Sequence, residues 1–234
     1  MTDNSKNQIA IILATGNKDK VRELRPLLEN ISPLFRVYAL NDIGLDVEIE
    51  ETEVTLEGNA LLKAQTVFDL LADRFPFMVV LADDTGLEVE GLNGAPGVYS
   101  ARYAPMSDGN PPTYTDNLNH LLHCMSGIVN RKARFRSVIA LKGILPSPQG
   151  SFLFEKTMDG VVCGTITPEP KGSGGFGYDP IFMVDALGKT YAEMNMQEKN
   201  SMSHRSLAVK KAIITLRDIL ERTGIPHTTL NVEL

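Results

Sequence analysis

Two adjacent carboxylates stand where a short apolar run ends. Met78–Leu81 contains β-branched residues and predicts a buried strand, and Asp83 and Asp84 follow it. An uncompensated carboxylate near a core is costly or shifts its pKa, so the pair requires solvent, a cation or a shared proton. Neighbours on an extended strand point to opposite faces, so we expect one acid to enter a site and the other to anchor backbone. The alternative is an Asp-Asp-Thr-Gly turn that caps backbone amides.

The acidic charge balance argues against a broad nucleic-acid surface. The 234 residues carry a formal net charge of −6, and 43% hydrophobic with 22% charged residues is typical of a globular protein with a sizeable core. Affinity for phosphate must then come from a local basic cluster, which favours a small phosphate ligand. Cys124 and Cys163 are too few for a disulfide framework or zinc site. The apolar run Ile9–Leu13 is too short to cross a membrane, and we expect a cytoplasmic protein.

Alternating strand and helix patterns predict an α/β fold. Early βα units followed by a late hairpin favour a mixed sheet flanked by helices, in two lobes with a cleft between them. We expect residues 1–234 to form a single domain, with 1–8 and about 221–234 as peripheral tails. The predicted strands are Ile9–Leu13, Phe35–Leu40, Met78–Leu81, Leu87–Leu92, Lys132–Leu145 and Ser151–Cys163, and the predicted helices are about Lys18–Glu29, Leu56–Arg74, Tyr114–Cys124 and Ser203–Arg222.

Two polar segments lie in the first third of the chain. The strand-to-helix turn Thr15–Lys20 combines Gly16, which allows close approach, with free helix amides, so it suits a polyphosphate. The alternative is that Asn17 merely caps a helix. The acidic segment Glu50–Glu53 is either a ligand site or a solvated loop. From the edge of the next helix, the stem of Lys63 can cross apolar surface and deliver its ammonium to the helix end.

Two further polar segments lie in the last third. Glycines in Gly172–Pro180 leave room for a flat ligand beside Phe176, although a glycine-rich hairpin loop is an adequate alternative. Ser203 is positioned to cap the final helix, which places His204 and Arg205 in its first turn. Basic residues there oppose the helix dipole, which suggests a ligand or an acidic partner.

Together these motifs resemble the inosine/xanthosine triphosphate pyrophosphatase family of the RdgB type, which hydrolyses non-standard purine nucleoside triphosphates. The resemblance runs from about Ile9 to Leu220. It rests on Thr15-Gly16-Asn17 with Lys20, Glu51-Thr52 with Asn59-Ala60 and Lys63-Ala64, Asp83-Asp84-Thr85-Gly86-Leu87, Gly97 with Ser100-Ala101-Arg102-Tyr103, Gly174 through Pro180, and Lys199 with Ser203-His204-Arg205.

The resemblance implies an elongated two-lobed α/β subunit in a homodimer. It further implies that a purine nucleoside triphosphate and water give a monophosphate and pyrophosphate with Mg²⁺ as cofactor, and that neither nucleic acid nor membrane is a partner. Asp84 would be the catalytic base and, with Glu51, would hold the metal. The remaining substrate-binding positions implied are Thr15, Gly16, Asn17, Lys18, Asp19, Lys20 and Lys63 for the phosphates, Phe176 for stacking on the purine, Asp179, Lys199, His204 and Arg205 for its polar edge, and Thr85, Gly177 and Tyr178.

Contacts to the C6 edge of the purine base explain the expected selectivity against adenine nucleotides. Hypoxanthine and xanthine carry a C6 oxygen that accepts hydrogen bonds from Lys199, His204 or Arg205, whereas adenine presents an amino donor. A site with unpaired buried donors rejects the analogue by about 10⁴-fold in favourable cases. The alternatives are a pyrophosphatase for pyrimidine or modified triphosphates, which would not need this basic group, and a non-catalytic nucleotide-binding paralogue.

Three positions depart from the family pattern. Asp19 and Glu53 stand where the family commonly has glycine, and Gly58 replaces the residue usual before Asn59. We interpret the side chains of Asp19 and Glu53 as facing solvent. A carboxylate that pointed into a phosphate site would oppose anion binding.

Overall fold

A parallel βαβ unit opens the chain in a computed structural model that describes residues 8–106 and 110–228, apart from the side chains of Asp19, Glu23 and Asn200. Strand β1 (Ile9–Leu13) is fully buried and pairs in parallel with β2 (Phe35–Ala39), with helix α1 (Lys18–Glu29) between them in sequence. The first two predicted strands and the helix between them are therefore confirmed.

Helix α2 (Leu56–Leu71) begins at a side-chain cap. The Thr55 hydroxyl accepts a hydrogen bond from the Gly58 amide at 3.0 Å, which satisfies one of the free amides of the first turn. The apolar stripe predicted from helical spacing is buried, and it includes Ala60 and Ala64. The helix ends three residues before the predicted Arg74, whose guanidinium donates to the carbonyl of Ile43 at 2.6 Å.

The described strands form one mixed sheet of eight strands, in the order β2-β1-β3-β5-β6-β7-β8 with β4 paired to β3. β1 pairs in parallel with β2 and β3, whereas β7 is antiparallel to β6 and β8, as expected for a mixed sheet. The remaining elements are β3 (Met78–Val89), β4 (Pro96–Gly97), α3 (Tyr114–Cys124), β5 (Lys132–Ser147), β6 (Gly150–Ile166), β7 (Phe182–Val184), β8 (Lys189–Thr190), α4 (Met196–Met202) and α5 (His204–Thr223).

The chain divides into two compact units. Unit 1 comprises residues 1–83, 138–158 and 209–234, and unit 2 comprises 84–137 and 159–208. Strands β3, β5 and β6 each contribute residues to both units, and the division of β3 falls between Asp83 and Asp84. Among the described residues, no helix is long and apolar enough to span a bilayer.

Unit 2 is built around an aromatic core. Phe135 on β5 meets Phe182 edge to face at 4.7 Å between ring centroids, and Tyr191 lies 5.2 Å from Phe182. Burial of these rings removes a large apolar area from water and adds the aromatic pair geometry. Tyr178 belongs to the same core, and burial raises the pKa of its hydroxyl above the usual range, so it stays neutral.

The expectation for the acid pair needs correction. The strand does not end at Leu81, because β3 continues through Asp83 and Asp84 to Val89, and the two predicted strands of this region are one. Both acids are buried within the strand. The Lys20 ammonium, which comes from helix α1, compensates the buried charge of Asp83, and apolar periodicity does not reveal this ion pair.

Candidate functional site

The turn after β1 is organised by two side chains. The Thr15 hydroxyl accepts from the Asn17 amide at 3.2 Å, and the Asn17 carboxamide oxygen accepts from the Lys20 amide at 3.3 Å. Asn17 therefore caps α1, which was the alternative reading of this motif, while Gly16 and Lys18 are exposed beside it. The side chain of Asp19 lies outside the described residues, so its predicted orientation is not tested.

Two lysines of unit 1 converge on residue 83. The Lys20 ammonium lies 2.8 Å from Oδ2 of Asp83, and the Lys63 ammonium donates to the Asp83 carbonyl oxygen at 3.2 Å. Lys63 also pairs with Oε1 of Glu51 at 2.7 Å. We call Lys20, Lys63, Glu51 and Asp83 the lysine cluster. It places two ammonium groups near the amino end of α1, a combination suited to a polyphosphate.

Asp83 takes part in this cluster through its carboxylate. We expected only one acid of the pair to enter a site and the other to anchor backbone, because neighbours on a strand point to opposite faces. Instead its side chain, which is 1% exposed, is held by Lys20, whose side chain is 15% exposed. This ion pair between Asp83 and Lys20 was not predicted.

Asp84 and Thr85 continue β3 in unit 2. Asp84 is 6% exposed, and the Thr85 hydroxyl lies 2.6 Å from that of Ser137 on β5. Ser137 carries no sequence signal and was not predicted. The strand thus holds Thr85 through a partner far along the chain.

The carboxylates of Glu51 and Asp84 suit a hard cation by their chemistry. Mg²⁺ is bound through one or two carboxylates and completes its shell with water and phosphate oxygens. Within residues 8–106 and 110–228, no group of three or more histidine, cysteine or acidic side chains is assembled for a metal. Each carboxylate alone is therefore suited to a metal that arrives with its phosphate ligand rather than to a closed protein site.

The acidic loop before α2 is tied to that helix. Asn59, which is fully buried, accepts a hydrogen bond from the Glu53 amide at 3.0 Å through its carboxamide oxygen. The Glu53 side chain is exposed, as predicted. A Cβ at Gly58 would lie only 2.7 Å from Cβ of Glu53. Two of the departures from the family pattern are therefore coupled, because the glycine makes room for the acid.

The glycine-rich loop of unit 2 closes on Asp179. Its Oδ2 accepts from the Phe176 amide at 2.8 Å and from the Lys199 ammonium at 2.6 Å. Gly175 has a φ of +71°, and a Cβ there would lie 2.0 Å from Oδ2 of Asp179, so only glycine fits. Asp179 thereby fixes both the loop and the lysine.

Two cations and a second aromatic ring surround Phe176. The Lys199 ammonium lies 5.0 Å and the Arg205 guanidinium carbon 5.9 Å from the ring centroid. The ring of Tyr114, at the start of α3, lies 5.7 Å away and is half exposed. Tyr114 was not predicted, because a single aromatic at a helix start is common. We call Phe176, Asp179, Lys199 and Arg205 the ring cluster.

Two predicted site residues are packed more deeply. His204 is 4% exposed, stacks on Phe135 at 4.6 Å, and places Nδ1 3.5 Å from the Tyr191 hydroxyl. The Tyr178 hydroxyl donates to the Ser100 carbonyl at 2.8 Å. Gly177, between the ring cluster and Tyr178, has a positive φ of 63° and leaves open space where a Cβ would lie.

The start of α5 explains how His204 and Arg205 are positioned. The Ser203 hydroxyl accepts from the Ser206 amide at 3.1 Å, which confirms the predicted cap. A Cβ at Gly160 of β6 would lie 2.0 Å from the His204 carbonyl oxygen, so this glycine permits the close approach of strand and helix. Gly160 was not singled out, because an isolated strand glycine has many explanations.

Comparison with known proteins agrees with the motifs. A family model described as the Ham1 family matches residues 11–214. The dITP/XTP pyrophosphatase of Chlorobaculum tepidum is 54% identical over 219 residues, 93% of this chain and 97% of that protein. The dITP/XTP pyrophosphatase of Porphyromonas gingivalis is 44% identical over 211 residues, 90% of this chain and 96% of that protein.

Solved structures give the same result. The Staphylococcus aureus Ham1 protein has a TM-score of 0.75 and 33% identity, covering 90% of this chain and 99% of that one. A HAM1 protein from Coxiella burnetii has the same score and identity, covering 90% of this chain and 100% of its own. The resemblance drawn from the motifs is confirmed. Since the family model and full-length relatives match across most of its residues, this chain belongs to the Ham1 family.

Proposed function

We propose that this chain hydrolyses dITP, ITP and XTP to the corresponding monophosphate and pyrophosphate. The ring cluster is the observation that carries the choice of a purine with a C6 oxygen, because it sets two cationic donors beside one aromatic ring. Guanine shares that oxygen, so this cluster discriminates against adenine and not against guanine. The names of the relatives support the same reaction. The reaction thereby removes these triphosphates from the nucleotide pool by converting them to monophosphates.

The lysine cluster is assigned to the triphosphate. Lys20 and Lys63 supply positive charge, and the turn Thr15–Lys18 lies at the amino end of α1, where the helix dipole favours an anion. Ammonium groups that contact the phosphates favour the charge that develops on the departing pyrophosphate. These groups position the phosphate chain and contribute no proton transfer.

Mg²⁺, held by Glu51 and Asp84, would supply charge neutralisation of the phosphate chain when bound. Asp84 accepts the proton of the attacking water at its carboxylate. Its burial within β3 keeps bulk water from competing for that carboxylate. Thr85, held by Ser137, fixes the strand next to Asp84.

The ring cluster is assigned to the base. Phe176 offers a stacking face, and Lys199 and Arg205 donate to the C6 oxygen of hypoxanthine or xanthine. The amino group of adenine at that position leaves both donors unpaired, which disfavours ATP. Asp179 keeps Lys199 in place. His204 is proposed to act from the core through its ring N–H.

Oligomeric state and location are further parts of the proposal. We propose a homodimer that acts in the cytoplasm, on the family resemblance and on the substrate. Size-exclusion chromatography coupled to light scattering tests the oligomeric state. A single species near the 25.7 kDa chain mass would contradict a dimer.

The proposed reaction is tested with a panel of nucleoside triphosphates. ITP, XTP, dITP, ATP, GTP and CTP are each incubated with the protein and Mg²⁺, and the products are separated by chromatography. We expect monophosphate and pyrophosphate from the first three and little turnover of ATP or CTP. Orthophosphate with diphosphate as products, or full activity in excess EDTA, would contradict the proposal. Preferential turnover of CTP would favour the pyrimidine alternative.

Asp84→Asn is the matched test of the base. It keeps the size of the side chain while removing the charge that accepts a proton, so we expect turnover to fall by at least about 10²-fold. Asp185→Asn, an exposed aspartate whose carboxylate accepts from the Thr165 hydroxyl, is the control. Equal losses in the two variants would remove Asp84 from this role.

A further inference from the structure

We infer that Asp83 is a positioning residue that holds the Lys20 ammonium and sets how tightly the lysine cluster binds phosphate. The inference rests on the proposed assignment of this cluster to the triphosphate. The geometry behind it is the 2.8 Å ion pair between Lys20 and Asp83 together with the 3.2 Å bond from Lys63 to the Asp83 carbonyl. Both lysines are thus located by one residue.

The two carboxylates of the cluster differ in their freedom to move. The Glu51 side chain is 24% exposed, whereas that of Asp83 is 1% exposed and lies within β3. An exposed carboxylate can exchange its lysine for another cation at small cost. The buried one cannot leave its strand, so its charge remains beside Lys20 when a phosphate group arrives.

That fixed charge has two consequences for an incoming anion. It holds a flexible four-carbon side chain in one place, so Lys20 is ordered before a phosphate binds. It also offsets the positive charge of Lys20, so a phosphate competes with a carboxylate for the ammonium. An unbalanced lysine pair would bind pyrophosphate more tightly and retain the product. Asp83 thus lowers the affinity of the cluster for anions, while it keeps the Lys20 side chain ordered and favours release of pyrophosphate.

The test measures binding of inorganic pyrophosphate by calorimetry in metal-free buffer, so that no cation mediates the contact. Asp83→Asn keeps the shape and an acceptor for Lys20 but removes the charge. Its dissociation constant is expected to fall on the order of tenfold below that of the unaltered protein, from loss of one nearby like charge. Asp83→Glu retains the charge and is expected to stay within about threefold of the unaltered protein.

A matched control separates this effect from a general change in charge. Lys142 and Glu155 form another ion pair of unit 1, at 2.9 Å. Glu155→Gln therefore removes one carboxylate from a lysine outside the cluster and should leave pyrophosphate binding unchanged. A purely structural role for Asp83 predicts weaker or unchanged binding in Asp83→Asn with a lower melting temperature, and either result overturns the inference.

A measurement on the unaltered protein covers the case in which Asp83→Asn does not fold. The ammonium signal of Lys20 is followed by NMR, and is assigned by its loss in Lys20→Arg. Pyrophosphate is expected to shift this signal, because the phosphate shares the ammonium with Asp83. No shift in a protein that binds pyrophosphate overturns the inference and leaves the proposed reaction standing. Failure of the unaltered protein to bind pyrophosphate overturns the inference and the assignment of the lysine cluster to the phosphates, whereas the proposed reaction is judged separately by the nucleotide panel with Mg²⁺.

Discussion

Gly58 and Glu53 are in close contact, so the effect of Gly58→Ala on the free energy of unfolding should change sign when Glu53 is replaced by glycine. A Cβ at position 58 would lie 2.7 Å from Cβ of Glu53, about 1 Å inside ordinary carbon contact. The overlap involves the base of the Glu53 side chain, so rotation of its end does not relieve it. Overpacking of this kind costs about 1–3 kcal/mol. Alanine in a helix interior gains about 1 kcal/mol over glycine, which is the upper bound for position 58 in the first turn of α2.

Gly58→Ala in the unaltered chain is therefore expected to be neutral to destabilising, by up to about 2 kcal/mol. In the Glu53→Gly background the overlap is absent, and the same substitution should stabilise by about 1 kcal/mol. The coupling free energy between the two positions is then about 1–3 kcal/mol. Urea denaturation of the four proteins of the cycle measures it.

The cycle also has a functional readout. The Glu53 amide bonds Asn59, and Glu51 lies two residues earlier on the same loop. The methyl group that Gly58→Ala introduces displaces Glu53, so this substitution should raise the Mg²⁺ concentration needed for half-maximal activity, and Glu53→Gly should restore it. Additive free energies, with a coupling below about 0.5 kcal/mol, would refute the reasoning.

Two further outcomes concern the ring cluster. Asp179→Asn removes the charge that strengthens the hydrogen bond from Lys199, and a charged bond of this kind is worth about 1.5–3 kcal/mol. The melting temperature and kcat/KM for ITP should both fall, the latter up to about tenfold. Asp185→Asn serves as control, and a change below twofold would dismiss the pairing. Arg205→Ala should lower kcat/KM for ITP about 10- to 10²-fold and change ATP turnover much less; an unchanged ITP/ATP ratio with a lower melting temperature would place Arg205 in packing alone.

Periodic apolar patterns predicted most of the long elements. The buried stripe of α2 and the run Ile9–Leu13 are signals that repeat over several residues, and both appear where expected. Strands of two or three residues, such as β4 and β8, carry no period and were not predicted. The short helix α4 was missed for the same reason, although Asn195 caps it through the amide of Glu198.

Motifs in the sequence named the candidate site residues, whereas the contacts between them became visible only in the structure. Lys20, Lys63 and Glu51 were named in advance. The two lysines meet at Asp83, and Lys63 also pairs with Glu51; these contacts join residues far apart in sequence, which spacing cannot reveal. The role of Gly58 became visible only from the distance to Glu53. The sequence does not identify the neighbour that pairs with a buried charge, nor the side chain that occupies the space beside a glycine.

The division of the chain has a consequence for biosynthesis. Unit 1 is assembled from residues 1–83, 138–158 and 209–234, so its first part leaves the ribosome well before its last. Ile225 is buried, and the Thr228 amide donates to the Ile31 carbonyl at 2.9 Å, so the connection after α1 gains this partner only after residue 228 has been made. At about 5–20 residues per second, the last segment follows the rest by roughly one to five seconds. During that interval unit 1 lacks the last of its three segments, whereas every segment of unit 2 has already been made.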